Sequence, residues 1–134
     1  MALLHERLRA REGPLLMGVI NVTPDSFSDG GQFLDRRAAR EHAEQLLARG
    51  ADLVDIGAES TRPGAHAIPA REQLARIGDL VRDLASAGAI VSIDTTDRDV
   101  ARRALDDGAT LVNTVDPARA ADLAEIARGR ALLA

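Results

Sequence analysis

The sequence lacks two residue types entirely. Among its 134 residues there is no cysteine, and all 17 lysine-or-arginine positions are arginine. The absence of cysteine excludes disulfide scaffolds, thiolate zinc sites, iron–sulfur clusters and cysteine nucleophiles. The absence of lysine excludes Schiff-base chemistry and the phosphate-binding lysine of Walker-type nucleotide sites. Several routes to covalent catalysis and nucleotide binding are thereby closed to this chain.

Aromatic residues, basic blocks and long apolar runs are scarce as well. Tryptophan and tyrosine are absent, and Phe27 and Phe33 lie in one short segment, which favours a ligand contact over a core position. A net charge of −4 without a basic block argues against nucleic-acid binding. No apolar run approaches the roughly 18 residues of a membrane span, and the charged first residues do not resemble a signal peptide. We therefore expect a cytoplasmic protein that binds neither nucleic acid nor membrane.

The sequence does contain a regular alternation of short apolar runs and amphipathic segments. The apolar runs are typical of strands buried on both faces, and the segments between them place apolar residues at helical spacing. Asp35, Asp97 and Asp116 are positioned to cap helices, and one helix is predicted from Pro69 to near Gly88. The predicted strands are Leu15–Ile20, Leu53–Ile56, Ile90–Ile93, Leu111–Val112 and the start of a fifth at 130–134. This alternation predicts an α/β fold with parallel strands.

Each of the first four predicted strands ends on a lone polar residue. These residues are Asn21, Asp55, Asp94 and Asn113. Because ligands bind at the carboxyl ends of the strands in parallel α/β folds, the four residues predict a binding site. The alternative is that short polar side chains merely start turns or cap the next helix. For Asp55 both interpretations stay open.

Four motifs follow the predicted strands in order. The longest are Asn21–Gly31, which reads NVTPDSFSDGG, and Asp55–Gly64, which reads DIGAESTRPG. The shorter ones are Ser92–Thr95 and Leu111–Asn113. In this order and spacing they resemble dihydropteroate synthase, a folate-pathway enzyme of the pterin-binding family. The resemblance extends from about residue 14 to residue 115, and it implies the parallel β/α units of a TIM barrel.

The resemblance also implies a reaction, a cofactor and a set of site residues. Dihydropteroate synthases join 6-hydroxymethyl-7,8-dihydropterin pyrophosphate to p-aminobenzoate and release pyrophosphate with the help of Mg²⁺. By similarity, Asn21 is expected at the metal and the pyrophosphate, Asp94 beneath the pterin ring as a catalytic carboxylate, and Asn113 in a hydrogen bond to the pterin. The other expected contacts lie in two loops: Phe27 in a lid over p-aminobenzoate, and Thr61, the catalytic Arg62 and Pro63 in the second loop.

These residue types suit the chemistry that the resemblance implies. Departure of pyrophosphate leaves positive charge on the pterin, which a fixed carboxylate stabilises. An asparagine oxygen is a hard ligand that is compatible with Mg²⁺, and Arg62 offers paired donors to phosphate or carboxylate oxygens. Glu59, in the same loop as Arg62, either orients that loop or is simply solvated.

The length of the chain limits how much of a barrel it can form. A TIM barrel typically needs about 250 residues, so residues 1–134 are expected to form a single partial pterin-binding domain, a half-barrel with about four of the eight units. The family's Ser-Arg-Lys and Arg-x-His motifs have no counterpart, and the sequence departs from the family pattern after Asn113, at Thr114 and Asp116-Pro117. A homodimer or a complementing C-terminal half is expected to pair the exposed edge strands.

Two other functions remain open at this stage. A non-catalytic module that binds a pterin or pyrophosphate, as a dimeric half-barrel, would keep the strand-end residues without turnover. A pterin-dependent methyltransferase would share the barrel and the polar strand ends. The NVTPDSFS loop favours the synthase, because a lid over p-aminobenzoate has no evident use in methyl transfer.

Overall fold

The computed structural model describes residues 4, 6, 9–10, 13–22, 32–59 and 68–134, and of residues 32–35 the backbone alone. The strands are β1 (Met17–Asn21), β2 (Leu53–Gly57), β3 (Val91–Asp94), β4 (Leu111–Asn113) and β5 (Leu132–Leu133). The helices are α1 (Gln32–Ala48), α2 (Ala70–Ile77), α3 (Leu80–Ser86), α4 (Arg98–Asp106) and α5 (Pro117–Ala127). Within these ranges no helix is long and apolar enough to cross a membrane.

The five strands form one parallel sheet in chain order, β1-β2-β3-β4-β5. Consecutive parallel strands joined by helices are the arrangement of a TIM barrel. Doubly wound sheets differ, because their strand order reverses at a switch point. The predicted α/β fold is therefore confirmed, together with its partial-barrel topology and its fifth strand, and β1 and β5 lie at the two edges.

The register gives the sheet two chemically different faces. One face carries aliphatic side chains that are buried against the helices in the main core. Its row of lateral neighbours is Ile20, Ile56, Ile93 and Val112. The opposite face, which a closed barrel would enclose, is mixed in character. Its corresponding row is Val19, Asp55, Ser92 and Leu111. We call it the inner face.

The inner face is covered unevenly. Near its amino-terminal end, Leu4 is 3% exposed and packs with Leu53 and Ile90. On β1, by contrast, Met17 is 43% exposed and Val19 is 54% exposed. Side chains normally fill the interior of a small barrel, so the strip along β1 is an interior surface that is left open.

Two helix boundaries differ from the prediction. Helix α1 begins upstream of Asp35, which is therefore not its cap; since each added helical residue adds a hydrogen bond, a helix easily extends past a residue that could end it. The helix predicted from Pro69 to Gly88 is two helices, because Gly78 adopts a φ of 53° between α2 and α3. A Cβ at Gly78 would collide with the Arg36 side chain, so the glycine leaves room for that side chain of α1.

The two other predicted caps are confirmed. The Asp97 carboxylate accepts hydrogen bonds from the backbone N–H groups of Asp99 and Val100 at 2.8 and 3.2 Å. The Asp116 carboxylate accepts one from the N–H of Ala118 at 2.9 Å. Each cap satisfies donors that the first helical turn leaves unpaired, so α4 and α5 begin at fixed points directly after β3 and β4.

Replacing Gly18 with alanine should loosen the packing of α1 on β1. The new Cβ would lie 2.9 Å from Leu46 Cδ1 and 3.1 Å from Leu46 Cβ, and the latter atom cannot swing away from its helix. We expect the free energy of unfolding in urea to fall by about 1–3 kcal/mol. Gly13→Ala is the control, since no atom of the described residues lies within 4 Å of that position. Equal effects of the two substitutions would contradict the close contact.

Candidate functional site

The carboxyl ends of β1 to β4 bring four residues into one lateral row. Asn21 is the register partner of Gly57, Gly57 of Asp94, and Asp94 of Asn113. Asn21 is exposed, whereas Asp94 and Asn113 are half-buried. By strand alternation all four belong to the inner face. Three of the four predicted strand-end residues are thus brought together at one edge of the sheet, which we call the strand-end row.

Gly57 keeps the middle of the strand-end row open. A Cβ at this position would lie 3.6 Å from both Asn21 Oδ1 and Asp94 Oδ2, so a side chain would fill the space between the amide and the carboxylate. The prediction that Asp55 ends this strand was wrong, because β2 continues to Gly57. The sequence could have indicated Gly57, because Gly57 follows Asp55 by two positions and residues two apart on a strand lie on the same face.

Asp55 lies on the inner face below the strand-end row. It is 3% exposed, and its Oδ2 accepts a hydrogen bond from Asn113 Nδ2 at 2.9 Å. Its Oδ1 is buried and has no hydrogen-bond partner in the described part of the chain. Asp55 lies within β2, so it neither starts a turn nor caps a helix. Its carboxylate instead forms part of the floor beneath the row.

The Asp94 carboxyl group has a strongly altered protonation equilibrium. The pKa of Asp94 is raised from 3.8 to about 6, chiefly by burial and further by the negative charges of Asp55 and Glu59. The ionised form of Asp94 is therefore less favourable than that of a fully solvated aspartate, and positive charge beside it would stabilise it. A carboxyl group perturbed by both burial and neighbouring charge, at the carboxyl end of a strand, is a typical functional-site candidate.

Asp94 should make the stability of the chain depend on pH. An unperturbed aspartate has a pKa of 3.8, whereas the pKa of Asp94 in the folded chain is about 6. Between these values the folded state binds more protons, so stability should fall as the pH rises from about 4 to about 6.5 and then level off. Relative to Asp94→Asn, we expect a loss of about 1 kcal/mol, because water screens a half-exposed group.

Urea unfolding at each pH measures this difference between the unaltered chain and Asp94→Asn. Asp99→Asn, an exposed substitution on α4, is the matched control and should reproduce the pH curve of the unaltered chain. Parallel curves for the unaltered chain and Asp94→Asn would contradict the raised pKa of Asp94.

A second polar cluster closes the base of the segment that follows β2. Glu59 Oε1 accepts a hydrogen bond from the backbone N–H of Ile68 at 3.3 Å, which joins the two residues that flank segment 60–67. Gln73, only 2% exposed, donates to Glu59 Oε2 at 3.3 Å and to the Ile68 carbonyl at 3.2 Å. Its own amide oxygen accepts from the Thr95 hydroxyl at 3.2 Å. We call these four residues the Gln73 clasp.

The Gln73 clasp decides between the two interpretations of Glu59. The carboxylate of Glu59 ties the base of the second loop and is not simply solvated. Through Thr95, which follows Asp94 directly, the clasp also links this loop to the end of β3. Gln73 was not predicted as a site residue, although its spacing from Ile77 puts it on the apolar face of α2, where an amide needs buried partners.

Replacing Gln73 with methionine should destabilise the chain. The substitution keeps the side-chain length but removes the hydrogen bonds to Glu59, the Ile68 carbonyl and Thr95. Because buried partners are left unsatisfied, we expect the free energy of unfolding to fall by about 1–3 kcal/mol. Gln45→Met, on the exposed side of α1, should change it by less than about 0.5 kcal/mol. Indistinguishable urea midpoints for the two variants would rule out a stabilising clasp.

The other predicted site residues lie outside the described ranges. These are Phe27, Thr61, Arg62 and Pro63, and their roles stay predictions. Among the described residues, no group of three or more histidine, aspartate or glutamate side chains is placed to hold a metal ion. Mg²⁺ binding stays a prediction as well.

Known proteins share both the sequence and the fold around this site. Residues 17–132 match the family model described as pterin binding enzyme. The chain belongs to the pterin-binding enzyme family. The dihydropteroate synthase of Mycobacterium leprae is 52% identical over 105 residues, which are 78% of this chain and 37% of that protein. The family match runs past Asn113 into β5, so the expected limit near residue 115 was too short: altered loop residues after β4 did not interrupt the β/α alternation.

Two solved pterin-binding enzymes illustrate the structural likeness. The dihydropteroate synthase of Anaplasma phagocytophilum with bound 6-hydroxymethylpterin-monophosphate has a TM-score of 0.78 and 38% identity, over 89% of this chain and 47% of that chain. The Xanthomonas albilineans enzyme with 4-aminobenzoic acid has a TM-score of 0.74 and 42% identity, over 86% and 45%. The chain thus spans less than half the length of the relatives it matches.

Proposed function

We propose that this chain supplies the amino-terminal part of a dihydropteroate synthase site. The reaction condenses 6-hydroxymethyl-7,8-dihydropterin pyrophosphate with p-aminobenzoate to form dihydropteroate in folate biosynthesis. The observation that carries the proposal is the strand-end row, with an amide, a glycine gap, a perturbed carboxylate and a second amide side by side. Relatives solved with a pterin monophosphate and with 4-aminobenzoic acid support the substrate class.

The proposed chemistry depends on Asp94. The bond between the pterin methylene carbon and the pyrophosphate oxygen breaks, and its electron pair leaves with pyrophosphate. The Asp94 carboxylate stabilises the positive charge that develops on the pterin, while the Asn113 amide hydrogen-bonds the ring. The amino nitrogen of p-aminobenzoate then bonds to the methylene carbon and loses a proton. Burial, and to a smaller extent the charges of Asp55 and Glu59, make the ionised Asp94 costly in the folded chain. Positive charge on the ligand offsets this cost, so the interaction strengthens as the charge develops.

Asn21 is the proposed Mg²⁺ ligand. It is exposed at the end of β1, and its amide oxygen lies across the Gly57 gap from the Asp94 carboxylate. Such oxygens fit a hard cation that keeps several water and phosphate ligands of its own, so one amide from the protein suffices. A bound Mg²⁺ would offset the negative charge of the departing pyrophosphate.

Two loops complete the proposed site. Thr61 and Arg62 would contact the pyrophosphate side and the incoming amine, with Pro63 beside them and Phe27 in the lid over p-aminobenzoate. A guanidinium group pairs well with phosphate or carboxylate oxygens, which suits Arg62 to either role. The Gln73 clasp supports the assignment of the second loop, because it fixes both residues that flank segment 60–67.

The open strip of the inner face supports a partner that completes the barrel. Met17 and Val19 are 43% and 54% exposed, and a closed barrel would bury the side chains on its inner face. We propose a complementing C-terminal half as the partner. A homodimer is the alternative, although a second copy would only repeat the same site residues. The cysteine-free sequence requires no oxidising compartment, which is consistent with a cytoplasmic complex.

Complementation tests the proposed function. The chain is mixed with Mg²⁺, both substrates and the separately produced C-terminal half of the Mycobacterium leprae relative, and dihydropteroate formation is measured. We expect activity only when both halves are present, and a loss of at least about 100-fold for Asp94→Ala, since that variant removes the stabilising charge. Asp99→Ala, an exposed change on α4, should leave the rate within about twofold.

Calorimetry with 6-hydroxymethylpterin monophosphate separates the alternatives. Binding that weakens in Asp94→Ala, without turnover in the presence of any C-terminal half, would refute the synthase proposal and favour the non-catalytic pterin-binding module. Failure of the unaltered chain to bind the pterin, alone or complemented, would refute both.

A further inference from the structure

Asp55 is a buried carboxylate that no step of the proposed reaction uses. Its two oxygens have different surroundings: Oδ2 accepts a hydrogen bond from Asn113 Nδ2 at 2.9 Å, whereas Oδ1 is buried without a partner among the described residues. Burying a carboxylate oxygen without a hydrogen bond is costly. An apolar side chain at this inner-face position would avoid that cost, so packing alone does not account for an aspartate here.

The hydrogen bond determines which way the Asn113 amide faces. A carboxylate can only accept hydrogen bonds, whereas an asparagine has an NH₂ end that donates and a carbonyl end that accepts. Only the NH₂ end can therefore face Asp55, and the carbonyl oxygen of Asn113 is turned away from it. Without such a partner, either orientation of the amide would be available. The residue that fixes this orientation, Asp55, lies on β2, whereas Asn113 lies two strands away on β4.

The orientation matters because of what lies next to Asn113. Asp94 is its register partner on β3, so a ligand bound along the strand-end row can meet both the Asn113 carbonyl oxygen and the Asp94 carboxylate. Both groups accept hydrogen bonds. A ligand edge that carries N–H donors, as the amino and ring N–H groups of a pterin do, matches such a pair. An edge that carries acceptors would meet repulsion instead.

We propose that Asp55 is a positioning residue, which fixes the Asn113 amide so that the site accepts a ligand edge rich in N–H donors. The proposal rests on the proposed function for the identity of the ligand. Asp55 touches neither substrate nor reacting atoms; it acts through Asn113. Its charge also contributes to the raised pKa of Asp94, which is consistent with its place beneath the row.

Binding of 6-hydroxymethylpterin monophosphate by Asp55→Asn tests this role. The substitution keeps the shape of the side chain but removes the charge and the acceptor-only character, so the dissociation constant measured by calorimetry should rise roughly tenfold. Asp52→Asn is the matched control. Asp52 is also a buried carboxylate and accepts a hydrogen bond from the Leu16 N–H at 2.9 Å, but it precedes β2 at the opposite end of the sheet. This control should stay within about twofold.

A double-mutant cycle tests whether Asp55 acts through Asn113. In an Asn113→Ala background, the effect of Asp55→Asn on the dissociation constant should shrink to less than about threefold, because the group that Asp55 orients is gone. Effects that simply multiply would overturn the proposal. So would an Asp55→Asn chain that binds the pterin as tightly as the unaltered chain.

Side-chain NMR gives a readout that does not depend on ligand binding. One Asn113 Nδ2 proton should exchange slowly with solvent in the unaltered chain and in Asp52→Asn, and rapidly in Asp55→Asn. If the unaltered chain does not bind the pterin, the proposed function fails, and the exchange rates alone test the positioning role of Asp55. Equal exchange rates in the unaltered chain and in Asp55→Asn would overturn that role. If Asp55→Asn does not fold, exchange in the unaltered chain as fast as that of the exposed Gln45 amide overturns it.

Discussion

The parallel register from β1 to β4 is the constraint on which the candidate site depends. Side chains alternate between the two faces of each strand, so a slip of one residue would move Asn21, Asp94 and Asn113 to the helix side of the sheet. The helix side is a continuous aliphatic layer that could not accept them. The helices that pack on the opposite face of the sheet therefore hold the site in place. Their packing, including the close approach of Leu46 to Gly18, fixes which side chains lie on the inner face.

A side-chain contact across β3 is the second condition for the candidate site. Asp55 and Asn113 lie on β2 and β4, with β3 between them, and in a flat sheet such strands would be about 9.5 Å apart. Their side chains nevertheless meet at 2.9 Å. The two side chains thus reach toward each other across β3 on the inner face. Asp55 also lies close enough to Asp94 to add, after burial, to the rise in the pKa of Asp94.

The strands and helix starts could be predicted from residues that are neighbours in the sequence. The features that were not predicted depend on contacts between residues far apart in the sequence. Apolar runs and capping aspartates such as Asp97 specify strands and helix starts through neighbours in sequence. The space beside Gly78, where the predicted helix breaks, is instead occupied by the side chain of Arg36 from another helix. Gln73 and Asp55 were likewise missed or left undecided, because their partners Thr95 and Asn113 are 22 and 58 residues away. The resemblance of the motifs indicated the family, but it could not show which other side chains hold the motif residues in place.

The crowding of carboxylates at the inner face has a consequence beyond the reaction itself. Burial and the neighbouring charges of Asp55 and Glu59 disfavour the ionised form of Asp94, so above the pKa of Asp94 the folded chain is less stable than its packing alone would make it. A ligand that brings positive charge offsets part of this loss of stability, and a ligand that binds only the folded state protects it from unfolding. Since proteases in a cell remove unfolded chains first, the supply of such a ligand would also set how long the protein persists.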